Sequence, residues 1–182
     1  MTRFARQQGL PRNWLQFASM RPLSVLNTPT HRLNEAGPRT MKNLHFLTHQ
    51  DLFDLAVDHL FDQGHAALLP RGGGAYRGYR GGCPVGSLIA PRDYLTAMEG
   101  VPVRYIGFPP NRVPAYMDAG VAALKRALLR SRVNVFDPGT VDLLSCLQNV
   151  HDAFGTWEWR ERLGSIARQF RLSTARLEKY AA

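Results

Sequence analysis

The residues that could carry covalent chemistry are Cys83, in a glycine-rich stretch, and His151, far from it in the sequence. A thiolate nucleophile needs an electropositive, partly exposed setting and a general base near its sulfur. Arginines and glycine amides could provide that setting, and His151 could be the base. Three polar neighbours of His151 could orient it or donate to an oxyanion: Gln148, Asn149 and Asp152. These residues permit a cysteine-dependent hydrolase or transferase, but no local signature motif accompanies them.

A structural interpretation accounts for the same residues. Cys83 would be a small buried residue at a turn, and the ring of His151 would bond a loop carbonyl. Consecutive side chains on a helix point about 100° apart, so we expect that Asp152 does not easily orient the His151 ring. We therefore predict a non-enzymatic protein and keep the cysteine-dependent reaction as the alternative.

Arginines and tyrosines alternate with glycines in residues 71–86, RGGGAYRGYRGGCPVG. This composition is typical of contacts to single-stranded nucleic acid, because cations bind phosphates and aromatic rings stack on bases. The candidate contacts in this segment are Arg71, Tyr76, Arg77, Tyr79 and Arg80.

The same glycines match a known phosphate-binding motif only in part. Gly81 and Gly86 have the separation of a P-loop, but Ser87 and Leu88 stand where that motif requires Lys and then Ser or Thr. A nucleotidase of the P-loop class is therefore excluded. Consecutive backbone amides still leave an anion-binding nest open.

A second candidate for nucleic-acid contact lies near the C-terminus, between Leu163 and Leu177. Its apolar residues follow the spacing of a helix-turn-helix, with Ala167 on the first helix and Leu177 ten positions later. Arg168 and Arg176 would then be available to phosphates. Two packed terminal helices without DNA contacts explain the pattern equally well.

The elements that must position these residues are mostly helices. A helix is predicted from Thr48 to Gln63, with Thr48 as N-cap and Gly64 as the stop. His59 and His65, which have no visible ligand partners, are interpreted as surface histidines. Further helices are predicted over residues 91–98, 115–130 and 138–154. Two more are predicted near the C-terminus, one with Thr156 as its N-cap and a short one that follows Ser173. Residues 101–114, with four prolines, are predicted to be extended at best.

This order of elements predicts a mainly α (α+β) fold, a compact helical domain with a glycine-rich loop or small β element inserted after the first helix. The domain is predicted to span residues 41–182. Residues 1–40 carry six arginines and one acid, Glu35, and several prolines. A transit peptide and a partner-binding basic arm are alternatives there, but we predict a poorly ordered basic leader.

Composition narrows the class of protein. The chain of 182 residues is 45% hydrophobic and 20% charged, which is a globular composition, and its net charge is +9. Two cysteines are too few for a disulfide framework, and no apolar run is long enough to cross a bilayer. We expect a cytoplasmic protein with no membrane contact, no metal and no cofactor, whose partner is another protein or nucleic acid.

Four short motifs occur in order along the chain: AYRG at 75–78, GCPVGSLI at 82–89, MEG at 98–100 and LLSCLQNVHD at 143–152. Together they resemble a family of small uncharacterised proteins of phages, prophages and bacterial genomes. The likeness covers about residues 50–172. That family often has a cysteine where this chain has Ala75, which argues against a mechanism that needs two cysteines. No activity is assigned to the family, so the resemblance implies a fold and a phage-type accessory role, without a mechanism.

Overall fold

A computed structural model of the protein describes residues 45–70 and 72–180. The described residues form six α-helices: α1 His49–Gln63, α2 Pro84–Ser87, α3 Asp118–Arg130, α4 Pro138–Ala153, α5 Trp159–Phe170 and α6 Ala175–Glu178. Among its described residues, the stretch between α1 and α2 contains two isolated β-bridges and no strand. The predicted mainly α fold is thereby confirmed. The predicted leader, residues 1–40, lies outside the described residues.

The first helix begins and ends at the predicted residues because both signals are local. The hydroxyl of Thr48 accepts from the amide of Asp51, and the Asp51 carboxylate accepts from the amide of Thr48. Such a capping box satisfies two backbone donors that the helix itself cannot pair. Gly64, with φ of 67°, closes the helix by donating its amide to the Leu60 carbonyl.

The start of α4 was also predicted correctly. The Asp137 carboxylate accepts from the amides of Gly139 and Thr140, and Pro138 occupies the first helical position. Proline fits there because the amide it lacks would have no partner in the first turn.

Other segments were predicted incorrectly. Residues 91–98 form two separate 3₁₀ turns, Pro91–Asp93 and Thr96–Met98, in place of one helix. Residues 101–114 were predicted to be extended but contain 3₁₀ turns as well. Proline fixes φ at a helical value, which favours a turn, but it lacks the amide needed to continue the turn as a longer helix. The helix α5 has Glu158 at its N-cap, and Thr156 is not its cap.

The core lies around α4, which packs against α1, α2, α5 and the turn at 103–107. Leu147 of α4 is 1% exposed, whereas Phe170 at the end of α5 packs at the edge of the core and is half-buried. The largest fully buried side chains include Phe53, Leu60, Tyr76, Leu143, Leu147 and Trp159. Because α4 runs through this core, its polar residues Gln148 and His151 are buried too.

Candidate functional site

The glycine-rich loop, residues 72–83, folds back on itself as an irregular hairpin. The amide of Ala75 donates to the carbonyl of Ala67 at 2.8 Å, and the amide of Cys83 donates to the carbonyl of Ala75 at 2.7 Å. A tight turn at the far end pairs the amide of Gly78 with the carbonyl of Gly81 at 2.6 Å. The loop therefore has a defined tip, residues 79 and 80.

Side chains at the end of α1 hold one edge of the loop. Nε2 of His59 donates to the carbonyl of Gly82 at 2.8 Å, and Oε1 of Gln63 accepts from the amide of Gly82 at 3.0 Å. Nε2 of His65 lies 3.0 Å from the carbonyl of Arg80. Sequence reasoning interpreted both histidines as surface residues and missed this role, which depends on contacts across the fold.

The opposite edge of the loop is held by one carboxylate. Glu99 accepts from the amides of Tyr76 and Arg77 at 2.9 and 2.8 Å, and from the hydroxyl of Tyr94 at 2.7 Å. Desolvation and donation to Glu99 raise the pKa of Tyr94 to about 12, so this hydroxyl remains a donor at neutral pH. The loop is thus fixed on both edges.

The tip of the loop projects into solvent. Tyr79 is 103% exposed, as much as in an extended peptide, and Arg80 is exposed beside it. Gly81 follows with φ of 144°, and a Cβ there would lie 2.0 Å from Oε1 of Gln63. Only glycine can close the turn so near α1, and this closure fixes the direction in which the tip points.

The predicted nucleic-acid contacts in this loop differ in their accessibility. Tyr76 is 1% exposed and its hydroxyl donates to the carbonyl of Val101 at 2.6 Å, so its ring cannot stack on a base. Arg77 is half-buried and donates from Nη2 to the carbonyl of Ile89 at 2.7 Å. Arg80 is open to solvent, and Arg71 lies outside the described residues.

The C-terminal candidates are arranged as two packed helices. The second helix, α6, has four residues, which is too short to lie along a major groove as a recognition helix does. Arg176 forms an ion pair with Asp58 of α1, while Arg168 is exposed and bonds only to Ser165 of its own helix. The rings of Tyr180 and Phe61 stack with their centroids 4.9 Å apart, so Tyr180 packs against α1.

Cys83 has the structural role considered from the sequence. It is fully buried at the N-cap of α2, where its sulfur accepts from the amide of Gly86 at 3.3 Å. Burial raises the pKa of its thiol to about 12. The thiol is therefore protonated at neutral pH, and it has no surface exposed to solvent.

His151 is bonded at both ring nitrogens. Nε2 accepts from the amide of Ala67 at 2.9 Å, and Nδ1 donates to Oδ1 of Asp152 at 2.7 Å. Contrary to our expectation, Asp152 does orient the ring. It reaches Nδ1 because Gly74 leaves room: a Cβ at that position would lie 1.8 Å from Oδ1 of Asp152. Since the Nε2 lone pair is occupied, His151 fixes the base of the loop and has no free site for a proton from Cys83.

Gln148 joins α4 to the loop. Its Oε1 accepts from the amide of Val103 at 3.0 Å, and its Nε2 donates to the hydroxyl of Tyr76 at 3.3 Å. Asn149, the other candidate on this helix, is exposed. The predicted catalytic set is therefore distributed along the interface between α4 and the loop. Asp152 bonds to the ring of His151, and the other three members bond to backbone amides.

Two cavities flank the loop. One, of about 190 Å³, lies where the loop meets α4 and includes Asp152, Asn149 and Arg104 in its wall. The other, of about 280 Å³, lies beside the loop tip and includes His59, Arg77 and Ser87 in its wall. Among residues 45–70 and 72–180, no cluster of three or more His, Cys, Asp and Glu is arranged to hold a metal ion.

Comparison with known proteins gives no family assignment. No protein-family model, curated protein or solved structure matches the chain. Within the described part of the chain, no helix has the length and apolar character needed to cross a membrane. The geometry of the loop is therefore the basis for a functional proposal.

Proposed function

We propose that the protein is a non-enzymatic interaction protein that binds single-stranded nucleic acid through the tip of the glycine-rich loop. The observation that carries this proposal is the full exposure of Tyr79 on a loop whose backbone is held by His59, Gln63 and Glu99. The phage-type accessory role implied by the sequence resemblance belongs to the same proposal.

An exposed tyrosine on a fixed turn suits base stacking. Its ring packs against nothing in the described structure, so it does not stabilise the fold and both faces are free for a base. Stacking of a base on an aromatic ring contributes about 1–3 kcal/mol and tolerates any base. Because the loop is already ordered, binding loses less conformational entropy than it would with an unrestrained loop.

The charge beside the ring matches a nucleic-acid backbone. Arg80 follows Tyr79 in the sequence and is also exposed, and Nε2 of His65 lies 3.0 Å from its carbonyl oxygen, so a cation and a ring are both open to solvent at the tip. The whole chain carries a net charge of +9, which favours association with polyanions at low salt.

The cysteine-dependent alternative receives less support. It needs an ionisable thiol and a free base, whereas Cys83 is fully buried and Nε2 of His151 already accepts a hydrogen bond. Both features favour a binding protein over a hydrolase or transferase.

The test is a fluorescence titration of the full chain with labelled oligo(dT) of about 16 nucleotides and with a duplex of equal length. We expect tighter binding of the single strand and an affinity that falls steeply as NaCl is raised. Arg80→Ala should weaken binding more than Arg112→Ala, since Arg112 is an exposed arginine at the turn of residues 110–112.

Residues 1–40 are present in both variants, so their charge cancels in this comparison. Equal losses for Arg80→Ala and Arg112→Ala would contradict a site at the loop tip. Absence of oligo(dT) binding at low salt would reject nucleic acid as the partner.

A further inference from the structure

The cavity beside the loop tip has the character of an anion site. Its volume is about 280 Å³, just below the range of roughly 300–1,000 Å³ typical of drug-sized ligands. Four of its wall residues are glycines, so a ligand would meet bare backbone there. The size suits a small charged group better than a large cofactor.

The charge of the wall is positive. Arg77 contributes a guanidinium, and none of the described residues in the wall is an aspartate or glutamate. Glu99, which bonds the backbone of Arg77, is not part of the wall, and its oxygens accept from two amides and a hydroxyl. An anion entering the cavity would therefore meet the Arg77 cation, and no carboxylate lines the described wall.

The guanidinium of Arg77 is held in place, and most of its N–H groups have no acceptor among the described residues. Its Nη2 donates to the carbonyl of Ile89, and its Cζ lies 5.4 Å from the ring centroid of Tyr94. Its Nε is buried and has no acceptor among the described residues. A guanidinium N–H without an acceptor forms its strongest hydrogen bonds with an oxyanion.

We propose that this cavity binds a phosphate group, with Arg77 as the cation that recognises it. The inference deepens the proposed function, because a strand stacked on Tyr79 would place a phosphate near the neighbouring cavity. The same chemistry could come from a free phosphate monoester. The experiment distinguishes the two sources.

The probe is inorganic phosphate, titrated into the ¹⁵N-labelled full chain at constant ionic strength and followed by NMR. Among the residues that the structure describes, three arginines have a buried Nε without an acceptor: Arg77, Arg162 and Arg176. Only Arg77 belongs to the wall of the cavity. We expect its Nε–H signal and the amide signals of Gly78 and Ser87 to shift and saturate, while the other two Nε–H signals stay in place. Equal shifts at all three arginines, or no saturation at Arg77, would overturn the proposal.

A matched pair of variants tests the charge of the cavity. Ser87 is exposed at its edge, so Ser87→Glu adds a carboxylate to the wall, and Ser87→Gln adds a neutral side chain of the same size. Ser87→Glu should abolish the saturable shift of Arg77, whereas Ser87→Gln should retain it. Loss of the shift in both variants, or in neither, would contradict an anion site.

Titrations with thymidine monophosphate and oligo(dT) identify the source of the phosphate. If the strand supplies it, oligo(dT) should shift the Arg77 signal at lower concentration than the mononucleotide, and Tyr79→Ala should remove that advantage without changing inorganic phosphate binding. A mononucleotide that binds as tightly as oligo(dT) supports the cavity but assigns it to a free phosphate monoester. Binding of oligo(dT) without any Arg77 shift would reject the cavity and leave the proposed function standing.

Discussion

His59 and Gly82 are 23 positions apart in the sequence, yet Nε2 of His59 lies 2.8 Å from the carbonyl oxygen of Gly82. Gln63, one helical turn after His59, binds the amide of the same glycine. Both polar backbone groups of Gly82 are therefore held by the last turns of α1. This contact fixes the glycine-rich loop and with it the position of Tyr79.

Replacement of His59 should loosen the loop. His59→Ala leaves the carbonyl of the buried Gly82 without its partner, which should lower the free energy of unfolding by about 1–3 kcal/mol. Urea denaturation followed by circular dichroism measures this loss. His45→Ala, at an exposed histidine, is the control and should change stability by less than about 0.5 kcal/mol. A neutral His59→Ala would show that the contact does not fix the loop.

The two cysteines should differ in reactivity. Cys83 is fully buried, whereas Cys146 is partly exposed, so a thiol reagent at neutral pH should modify Cys146 slowly and Cys83 only after unfolding in denaturant. Mass spectrometry of the labelled peptides distinguishes the sites. Rapid labelling of native Cys83, lost in His151→Ala, would instead support the cysteine-dependent alternative.

The buried thiol should also make stability depend on alkaline pH. Burial raises the pKa of Cys83 from 9.0 to about 12, so the folded state keeps a proton that the unfolded chain has released. The stability linked to this proton is complete below about pH 9 and is lost as the pH rises toward 12. From about pH 8 to about pH 10, the free energy of unfolding should therefore decrease more for the native chain than for Cys83→Ser. Equal slopes would show that the thiol is not the titrating group.

Two helical glycines should respond in opposite directions to alanine. At Gly120 of α3 a Cβ would lie 2.1 Å from the carbonyl oxygen of Ala97, so Gly120→Ala must separate α3 from the turn Thr96–Met98 and destabilise the fold. At Gly164 of α5 the nearest atom would be the guanidinium of Arg168 at 3.8 Å, an ordinary contact. Gly164→Ala should therefore stabilise the protein by about 0.5–1 kcal/mol through helix propensity. Thermal melts of the two variants provide the comparison, and a stabilising Gly120→Ala would contradict the packing of α3.

Features with local causes were predictable from the sequence. Two helix starts are determined by residues within one turn of the boundary, and both are where they were predicted. The residues are Thr48 with Asp51 for α1 and Asp137 with Pro138 for α4. Thr156 carries a similar local signal, but the amide of Gly155 bonds to the carboxylate of Glu158, and the helix begins after that turn.

Features with long-range causes were not predictable. The contact between His59 and Gly82 depends on how the loop folds back on α1, and no local pattern specifies it. One signal was present: His59 and Gln63 share a face of α1 immediately before the glycine-rich segment, and polar side chains in that position can bind its backbone. The orientation of His151 by Asp152 depends in the same way on Gly74, which lies on a different element.

The most direct test of the proposed function compares two replacements of Tyr79 in oligo(dT) binding. Tyr79→Ala removes the exposed ring without touching the core, whereas Tyr79→Phe keeps the ring and removes only the hydroxyl. Because stacking contributes about 1–3 kcal/mol per base, the dissociation constant of Tyr79→Ala should rise by roughly 5- to 150-fold, and that of Tyr79→Phe should stay within about 2-fold of the unmodified chain. An unchanged dissociation constant for Tyr79→Ala, with folding intact, would contradict binding of single-stranded nucleic acid at the loop tip.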